Sequence, residues 1–350
     1  LKVVLIPKDL SFIGEKVKEL HVIKVLHVGE YVQGGVATYI KTLISIDTSV
    51  GIENHLIMAK EKSEQKWDLP ANRIHYYDYK RGIKNIWSAI WFIHRAVNQL
   101  QPDIIYCHST WAGVFGRVPF IFFKKKCRVI YNAHGWSFLR DTSDWKRCIY
   151  ATVEQWLSRV TNKIINVSKY EYDSAIKYGI SSDKMCVIYS GISPKKSVIK
   201  NHIQMDVNKV NMLFVGRFDP QKGIDILLEA MDKCSRKDLH LYVIGDNVVS
   251  DGMGIEKKNT DKVTFLGWVN HDDVGAYYMA SDIVVMPSRW EAFGLVAIEA
   301  MKYGKPVIVS DRGALPELIQ SNINGYICNI DNKKDILDCI NKIEKEELIY

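Results

Sequence analysis

Two glutamates eight positions apart lie in the stretch PSRWEAFGLVAIE, residues 287–299. Glu291 stands in a turn after the apolar run 283–286, and Glu299 falls in the helical pattern that follows Gly294. A fully helical path between the two would span about 12 Å at 1.5 Å per residue. That is too far for a catalytic pair, so the carboxylates suit different hydroxyls of one extended ligand. The alternative is a solvated loop acid and a helix-surface acid.

The segment around these acids also predicts an anion site. The apolar run 283–286 has the composition of a buried parallel strand, and a short glycine-containing turn leads from it into a helix at Leu295. The first amides of a helix have no intrahelical partner, and the helix dipole places partial positive charge there. A phosphate or another polar group of a ligand is therefore expected at this helix N-terminus.

Two cations follow another predicted strand. Gly216–Arg217 is followed five residues later by Lys222–Gly223, just before a helical pattern. A guanidinium and an ammonium near a helix N-terminus can bind a diphosphate through charge-assisted hydrogen bonds. If the diphosphate is a leaving group, cations fixed where its negative charge develops lower the reaction barrier. The alternative is a pair of solvated loop cations.

The first half of the chain offers a weaker constellation. Gly34 and Gly35 separate the strand pattern VIKVLHV from a helix, which predicts either a tight turn or a close approach of ligand to backbone. The stretch is not G-x-G-x-x-G, so the dinucleotide-binding fingerprint is absent. His134 ends the strand pattern VIYNAH, where open α/β sheets bind their ligands. The alternative for His134 is a packed loop histidine.

Length and composition bound the class of protein. The chain has 350 residues, of which 47% are hydrophobic and 25% charged, as expected for a globular protein of two domains. No apolar run reaches the roughly 18 residues of a membrane-spanning helix. The seven cysteines show no C-x-x-C pair, which predicts reduced thiols, a cytoplasmic location and no bound metal. Residues 1–20 are expected to form an extra strand or a leader without secretory character.

The elements that position these residues alternate between strand and helix along the whole chain, which predicts α/β domains with doubly wound parallel sheets. We expect a Rossmann-like domain at 1–192, a linker at 193–210 and a second Rossmann-like domain at 211–350, facing each other across a cleft. Long helices are predicted at 85–100, 111–123 and 145–161, and a charged final helix after residue 330.

The charge is uneven, since residues 1–190 are net basic and residues 191–350 are slightly acidic. The stretch from Trp111 to Arg128 places aromatic and aliphatic residues before a run of basic ones, which fits shallow docking on an anionic membrane. The alternative is a buried helix and a solvated basic turn. Nucleic acid is not an expected partner, because no recognition helix or stacking platform is evident.

Three segments together resemble one known family. VGRFDPQKGIDILLEAM, FLGWV and PSRWEAFGLVAIEAMKYGKPVIVSDRGALPELI are similar to the second domain of family 4 of the retaining glycosyltransferases (glycosyl transferases group 1), which have the GT-B fold. The resemblance is specific over 211–330. In the first domain it depends on GGVATYI and on AHG around His134.

The resemblance implies a role for each candidate residue. Those expected to take part in catalysis are His134, Arg217, Lys222 and Glu291. Those expected to bind the donor are Gly34, Gly35, Gly216, Arg217, Lys222, Trp268, Val269, Glu291, Phe293, Gly294, Leu295 and Glu299. The cations would hold the diphosphate, Glu291 the sugar and Glu299 the ribose. The backbone at 268–269 would meet the base, and His134 would lie beside the reacting sugar.

The resemblance also implies a function. The expected activity is retaining transfer of a hexosyl group from a nucleotide-sugar, UDP-linked rather than GDP-linked, to a carbohydrate acceptor that is lipid-linked. The product would be a bacterial surface polysaccharide such as O-antigen, capsule or exopolysaccharide. Neither a metal nor another cofactor is expected, and the enzyme would be cytoplasmic and peripheral on the inner membrane. The alternatives are a nucleotide-sugar epimerase of the same fold and a non-catalytic nucleotide-sugar-binding scaffold.

Overall fold

The computed structural model describes residues 22–47, 51–124, 127–194, 203–247 and 254–343. The expected strand or leader at 1–20 therefore lies outside the described residues, as do 195–202 of the expected linker and the end of the final helix. By its internal contacts the chain divides into two compact units. The first unit is Leu1–Ala133 with Trp156–Ile164, and the second is His134–Gln155 with Ile165–Tyr350.

Seven strands form the first sheet in the order β3-β2-β1-β4-β5-β6-β7. They are β1 Ile23–Gly29, β2 Ile52–Ala59, β3 Ile74–Tyr77, β4 Ile104–His108, β5 Arg128–Asn132, β6 Lys163–Asn166 and β7 Met185–Val187. The pairings of β1 with β2 and with β4 are parallel, and Val25 of β1 stands opposite Ile104 of β4. The strand order reverses between β1 and β4.

In the described part of the chain, six α-helices connect these strands. They are α1 Gly35–Asp47, α2 Ile83–Leu100, α3 Thr110–Arg117, α4 Pro119–Phe122, α5 Asp144–Ser158 and α6 Lys169–Lys177. The strands read as near-continuous apolar runs because helices cover both faces of a doubly wound sheet. The doubly wound α/β architecture expected from the alternating pattern is confirmed.

Six strands form the second sheet in the order β10-β9-β8-β11-β12-β13. They are β8 Val210–Val215, β9 Leu239–Ile244, β10 Val263–Gly267, β11 Ile283–Met286, β12 Val307–Ser310 and β13 Gly325–Cys328. The helices are α7 Ile224–Lys233, α8 His271–Ala280, α9 Leu295–Lys302, α10 Leu315–Leu318 and α11 Lys333–Asn341. One apolar cluster includes Phe218 and Leu227, and another includes Tyr278 and Leu315. The strand order reverses between β8 and β11.

One predicted helix is wrong. The stretch 111–123 forms two helices because Pro119 stands at the start of α4, where its missing amide hydrogen ends the continuous hydrogen-bond ladder. Most of α3 is buried, including Phe115 and Arg117, so the segment is not the continuous docking surface that its composition suggested. Of the described residues in the expected docking stretch 111–128, only 121–124 and Arg128 are exposed, and 125–126 lie outside the described residues. Among the described residues, no helix is long and apolar enough to cross a bilayer.

Candidate active site

The loop after β8 carries the two predicted cations in a fixed conformation. Arg217 forms an ion pair with Asp219, with 3.0 Å between Nη2 and Oδ2. Asp219 also accepts the Lys222 amide hydrogen at 3.1 Å, as an N-cap residue does. Gly223 begins α7 with φ 66°, and a Cβ there would collide with the carbonyl oxygen of Pro287. Only glycine allows this approach, which brings the β8 loop against the loop after β11.

Further hydrogen bonds join these two loops. Arg289 donates its amide hydrogen to the Gln221 carbonyl oxygen at 2.8 Å, and the Gln221 side chain donates to the Trp290 carbonyl oxygen at 3.1 Å. The Arg289 guanidinium binds both carboxylate oxygens of Asp225, at 2.9 and 2.6 Å. Both loops leave the sheet where its strand order reverses, which is where open α/β sheets bind ligands.

The centre of this site is an ion pair between Lys222 and Glu291, joined through Nζ and Oε1. The side chains are 19% and 10% exposed, so the pair is largely removed from water. Ser288 also donates to Glu291 Oε1, at 3.3 Å, and the Ser310 hydroxyl donates to the Ser288 carbonyl oxygen at 2.5 Å. The arrangement fixes one carboxylate and one ammonium beside each other, and further hydrogen bonds hold the carboxylate and its turn.

The backbone of Glu291 is held as firmly as its side chain. Ala314 donates its amide hydrogen to the Glu291 carbonyl oxygen at 3.0 Å. Gly313 packs directly on the same carbonyl, since a Cβ at Gly313 would overlap the Glu291 oxygen. The segment between β12 and α10 therefore determines where the Glu291 side chain can lie.

The helix N-terminus expected after Glu291 is present. Gly294 has φ 107° and precedes α9, and a Cβ there would lie 2.7 Å from Leu315 Cδ2, so this position requires glycine. Phe293 is buried, and Leu295 is the first helical residue. Since the helix starts at Leu295, Glu291 lies in the turn and Glu299 in the helix, as the sequence predicted.

Glu299 lies on α9 and accepts a hydrogen bond from the Tyr278 hydroxyl, at 2.9 Å from Oε2. Burial raises the pKa of Glu299, and the positive charge of His271 opposes that rise, as does the Tyr278 hydrogen bond. Tyr278 is itself buried in the apolar cluster below α9. The Tyr278 hydroxyl thus orients the Glu299 carboxylate.

Gly216 and Trp268 follow β8 and β10, the two strands that flank β9 in the second sheet. Gly216 follows β8 and lies so close to β9 that a Cβ on Gly245 would overlap its carbonyl oxygen. Trp268 follows β10 and is 70% exposed, while Val269 is half-buried. The exposed Trp268 side chain and adjacent backbone agree with the expectation of a base-binding edge, which stays a prediction.

His134 is in a tight turn after β5 and has an unfavourable backbone conformation, with φ 49°. Its side chain is half-buried, and burial lowers the pKa of the imidazole to about 3. The next residue, Gly135, packs on Trp290: a Cβ there would lie 2.6 Å from Trp290 Cη2. Since Trp290 precedes Glu291, the structure brings the His134 turn and the Glu291 turn together.

Gly34 and Gly35 belong to the first unit. Gly34 has φ 56° and accepts the Thr38 amide hydrogen at 2.9 Å, and both glycines are exposed at the start of α1. A Cβ at Gly34 would meet no atom within 4 Å, so the turn leaves its backbone open to a ligand. Their predicted role in donor binding stays a prediction.

Several supporting residues were not singled out from the sequence. Ser288, Ser310 and Tyr278 act through hydrogen bonds to the predicted acids or their turn, and Gly313 acts by close packing. Only PSRWE, which places Ser288 three residues before Glu291, carried a local signal. Among the described residues, no group of three or more His, Cys, Asp or Glu side chains could hold a metal ion.

Known proteins share this sequence pattern and architecture. The family model described as glycosyl transferases group 1 matches residues 195–349, and the model described as glycosyltransferase family 4 matches residues 33–196. An uncharacterized 41.2 kDa protein in the cps region of Klebsiella pneumoniae is 36% identical over 323 residues, which are 90% of this chain and 88% of that protein.

Two further proteins are informative. The UDP-Gal:alpha-D-GlcNAc-diphosphoundecaprenol alpha-1,3-galactosyltransferase of Escherichia coli is 23% identical over 293 residues, 76% of this chain and 72% of that enzyme. The crystal structure of Anabaena HepE in complex with UDP and glucose has a TM-score of 0.73 at 18% identity and covers 94% of this chain and 92% of that one. With two Rossmann-like sheets and both family models matched, the chain belongs to glycosyltransferase family 4 and has the GT-B fold.

Proposed function

We propose that this glycosyltransferase moves a sugar from a UDP-sugar to a lipid-linked saccharide, with retention of the anomeric configuration, during synthesis of a bacterial surface polysaccharide. The observation that carries the proposal is the buried ion pair of Lys222 and Glu291 at the reversal point of the second sheet, with Arg217 on the same loop. It provides cations for a diphosphate and a carboxylate for sugar hydroxyls within one site.

The cations act on the leaving group. In the free protein the Lys222 ammonium is engaged by Glu291, and two of its three N–H donors remain for phosphate oxygens. The Arg217 guanidinium is about half exposed beside Asp219, so it can turn toward the same phosphates. As the sugar leaves, the diphosphate gains negative charge, and positive groups already in place stabilise that charge without reorganisation. In this proposal they serve in place of a metal ion.

The transfer step follows from this placement. The bond between the anomeric carbon and the leaving phosphate oxygen breaks, and its electron pair goes to that oxygen. The acceptor hydroxyl oxygen bonds to the anomeric carbon on the same face, and its proton passes to the leaving phosphate oxygen. Glu291 accepts hydrogen bonds from the sugar hydroxyls, and neutral His134 orients the reacting sugar. Glu299 accepts hydrogen bonds from the ribose.

The acceptor and the base are proposed from the relatives. The Klebsiella protein is encoded in a cps region, and the Escherichia coli enzyme acts on a diphosphoundecaprenol-linked sugar with UDP-Gal as donor. HepE was crystallised with UDP and glucose. These three findings support a UDP-sugar donor and a polyprenyl-linked acceptor over a GDP-sugar and a free saccharide.

A lipid-linked acceptor also suggests contact with an anionic membrane surface. Aromatic side chains stand exposed on α2 and α4 of the first unit, and the Phe123 ring stacks on His94 of α2 at 4.9 Å, so the two helices form one patch. The exposed fractions are 64% for Trp87, 61% for Trp91, 74% for Phe122 and 58% for Phe123. The cations of Arg95 and Lys124 are exposed beside them. Exposed aromatics next to cations suit the headgroup region of a bilayer.

The proposal is tested in two steps. Purified protein is first screened for thermal stabilisation by UDP, UDP-sugars and GDP-sugars, since a ligand at 100 times its Kd stabilises the folded state by about 2.7 kcal/mol. The nucleotide-sugar that stabilises the protein is then supplied together with a polyprenyl-diphosphate-linked saccharide as acceptor. The anomeric configuration of the product is identified by NMR. We expect UDP-sugars to stabilise and the anomeric configuration to be retained. Stabilisation by GDP-sugars alone, or an inverted product, would contradict the proposal.

The same assay judges the two alternatives. An epimerase would convert the donor in the absence of any acceptor. A scaffold would bind the donor without turnover across the whole acceptor panel. For the membrane contact, flotation with phosphatidylglycerol vesicles is compared between wild type and Trp91→Ala/Phe122→Ala. Equal flotation of the two proteins would contradict the assigned surface.

A further inference from the structure

Two carboxylates outside the donor site are more completely hydrogen-bonded than surface acids usually are. The first is Glu171 of α6, whose side chain is fully buried. Its Oε1 accepts the Trp136 amide hydrogen at 3.1 Å, and its Oε2 accepts the Val167 amide hydrogen at 3.2 Å. The Gly135 amide also interacts with this carboxylate. One side chain therefore holds both the turn after β5 and the end of β6.

The turn that Glu171 holds is the one that contains His134. A φ of 49° is sparsely populated by residues other than glycine, and such a conformation persists only when its surroundings impose it. The hydrogen bonds that the Gly135 and Trp136 amides donate to Glu171 supply that constraint. A glutamine could not replace it, because a side-chain amide has one acceptor oxygen and would present an N–H group to the second backbone N–H.

The second carboxylate is Glu317 of α10, which caps α6. Its Oε2 accepts the Lys169 amide hydrogen at 3.0 Å, and its Oε1 accepts the Tyr170 amide hydrogen at 2.5 Å. The Tyr189 hydroxyl donates to Oε2 at 3.0 Å. The first amides of a helix lack intrahelical partners and carry the positive end of the helix dipole, so a carboxylate there fixes the helix end.

The other end of α10 leads to the donor site. Ala314, immediately before α10, donates its amide hydrogen to the Glu291 carbonyl oxygen at 3.0 Å. A continuous path of hydrogen bonds and one short helix thus runs from Glu291 through α10 and Glu317 to α6. From there it continues through Glu171 to the His134 turn.

We propose that Glu171 and Glu317 are positioning residues of the transfer reaction, which fix the His134 turn relative to the Glu291 turn through α6 and α10. This inference rests on the proposed function, because it names residues that serve its chemistry. Neither carboxylate touches a substrate in this assignment. Their effect is on where a neutral imidazole and a sugar-binding carboxylate lie with respect to each other, and small displacements of such groups cost rate.

The kinetic test uses Glu317→Gln, which keeps the size of the side chain but weakens the cap on α6. We expect kcat to fall about tenfold through misplacement of reacting groups, while the KM for the donor stays within about twofold. Tyr189→Phe removes one hydroxyl from a half-exposed side chain, so it will fold and should lower kcat in the same direction by a smaller factor. Glu61→Gln is the control, because Glu61 is an exposed acid of the first unit that pairs with Lys80.

A second measurement does not need activity. Hydrogen exchange is followed by mass spectrometry over 133–139 and 167–172 in wild type and in Glu317→Gln. Positioning predicts faster exchange of the Gly135 and Trp136 amides, which bond to Glu171 rather than to Glu317. Faster exchange confined to the α6 N-terminus, or an unchanged kcat, would overturn the inference. If wild type transfers no sugar at all, the proposed function fails, and the exchange data still decide whether the path exists.

Discussion

The carboxyl ends of the two sheets differ in the charge of the buried polar groups at the point where the strand order reverses. Where the second sheet reverses its strand order, the side chains are charged and paired: Lys222 with Glu291, and Arg217 with Asp219. Where the first sheet reverses, between β1 and β4, His27 is fully buried and bonds to a second histidine. The second sheet places paired cations at its reversal point. At the reversal point of the first sheet the buried His27 is neutral, and the ion pair of Glu30 with Arg81 follows β1.

At the carboxyl end of the first sheet, burial and hydrogen bonds keep the histidine neutral. The His27 ring nitrogens lie 3.0 Å from His108 Nε2 and 3.0 Å from Asn54 Oδ1. Burial lowers the pKa of His27 to about 4, so its imidazole is neutral at physiological pH. The Tyr39 and Tyr106 hydroxyls share a hydrogen bond of 2.8 Å in the same region. These neutral groups are buried and hydrogen-bond to one another inside the unit, so no charge has to be removed from water.

The difference bears on His134 as well. Because burial lowers the pKa of His134 to about 3, the ring is neutral at the pH at which an enzyme of this kind works. A neutral imidazole can accept or donate one hydrogen bond but does not supply a positive charge. In our proposal His134 therefore orients the reacting sugar and does not stabilise negative charge.

The largest effect on activity is expected at the carboxyl end of the second sheet. Lys222→Met removes the ammonium and leaves Glu291 largely buried without its ion-pair partner. Loss of one preorganised group at developing charge costs about 10²–10³-fold in kcat, so we expect a decrease of that size with the fold retained. Transfer is measured at saturating donor, and folding is checked by thermal melting.

The control for that variant is Lys233→Met. Lys233 lies on α7, eleven positions further along, and forms a surface ion pair with Glu229 four residues earlier on the helix. Such pairs contribute little, so kcat and melting temperature should both stay close to wild type. Equal loss of activity in both lysine variants, or full activity of Lys222→Met, would contradict the role of the Lys222 charge in the reaction.

The carboxyl end of the second sheet was predictable from the sequence because each part of it is local. Arg217 and Lys222 share one loop, and Glu291 stands four residues before a helix that begins at Leu295, as the glycine turn indicated. Spacing along the chain therefore translates directly into spacing in the site. What spacing could not supply is which loops touch, and here the approach of Gly223 to the Pro287 carbonyl decides it.

The carboxyl end of the first sheet was not predictable in the same way. His27 reads as one polar residue within an apolar strand pattern, and its partner His108 is 81 positions away. The pairing depends on the register of β1 with β4, which no local pattern contains. Glu171 likewise reads as a surface acid of a polar helix, and its burial follows only from the turn folded over it.

The next effect tests the neutral state of His27. Its pKa is lower in the folded than in the unfolded chain, so between about pH 6.5 and 4 the unfolded state binds more protons and stability falls as the pH falls. A shift of this size corresponds to about 3 kcal/mol. Urea unfolding of His27→Gln should therefore depend less on pH in this window than wild type, although the variant is less stable overall.

A second titrating group bears on that measurement. Glu171 contributes with the opposite sign, because burial raises its pKa to about 7 and the folded state then binds the extra proton as the pH falls. The difference between variant and wild type is therefore the quantity to read. An identical slope for His27→Gln would show that the buried histidine pair is not held neutral.

The smallest effect on activity is expected at the donor site of the second sheet, at the acid that binds the ribose in our proposal. Tyr278→Phe removes the hydroxyl that orients Glu299, and loss of one such hydrogen bond costs about 1 kcal/mol, or roughly fivefold in the KM for the donor. The hydroxyl also lowers the pKa of Glu299 against the effect of burial, so its loss moves that pKa further upward. Protonation then begins at higher pH, and the increase in KM should be greater at about pH 5.5 than at about pH 8, while kcat changes little.

A KM increase independent of pH would mean that Tyr278 only supports the packing below α9. A fall in kcat with unchanged KM would place Glu299 in the chemical step and not in binding of the nucleotide.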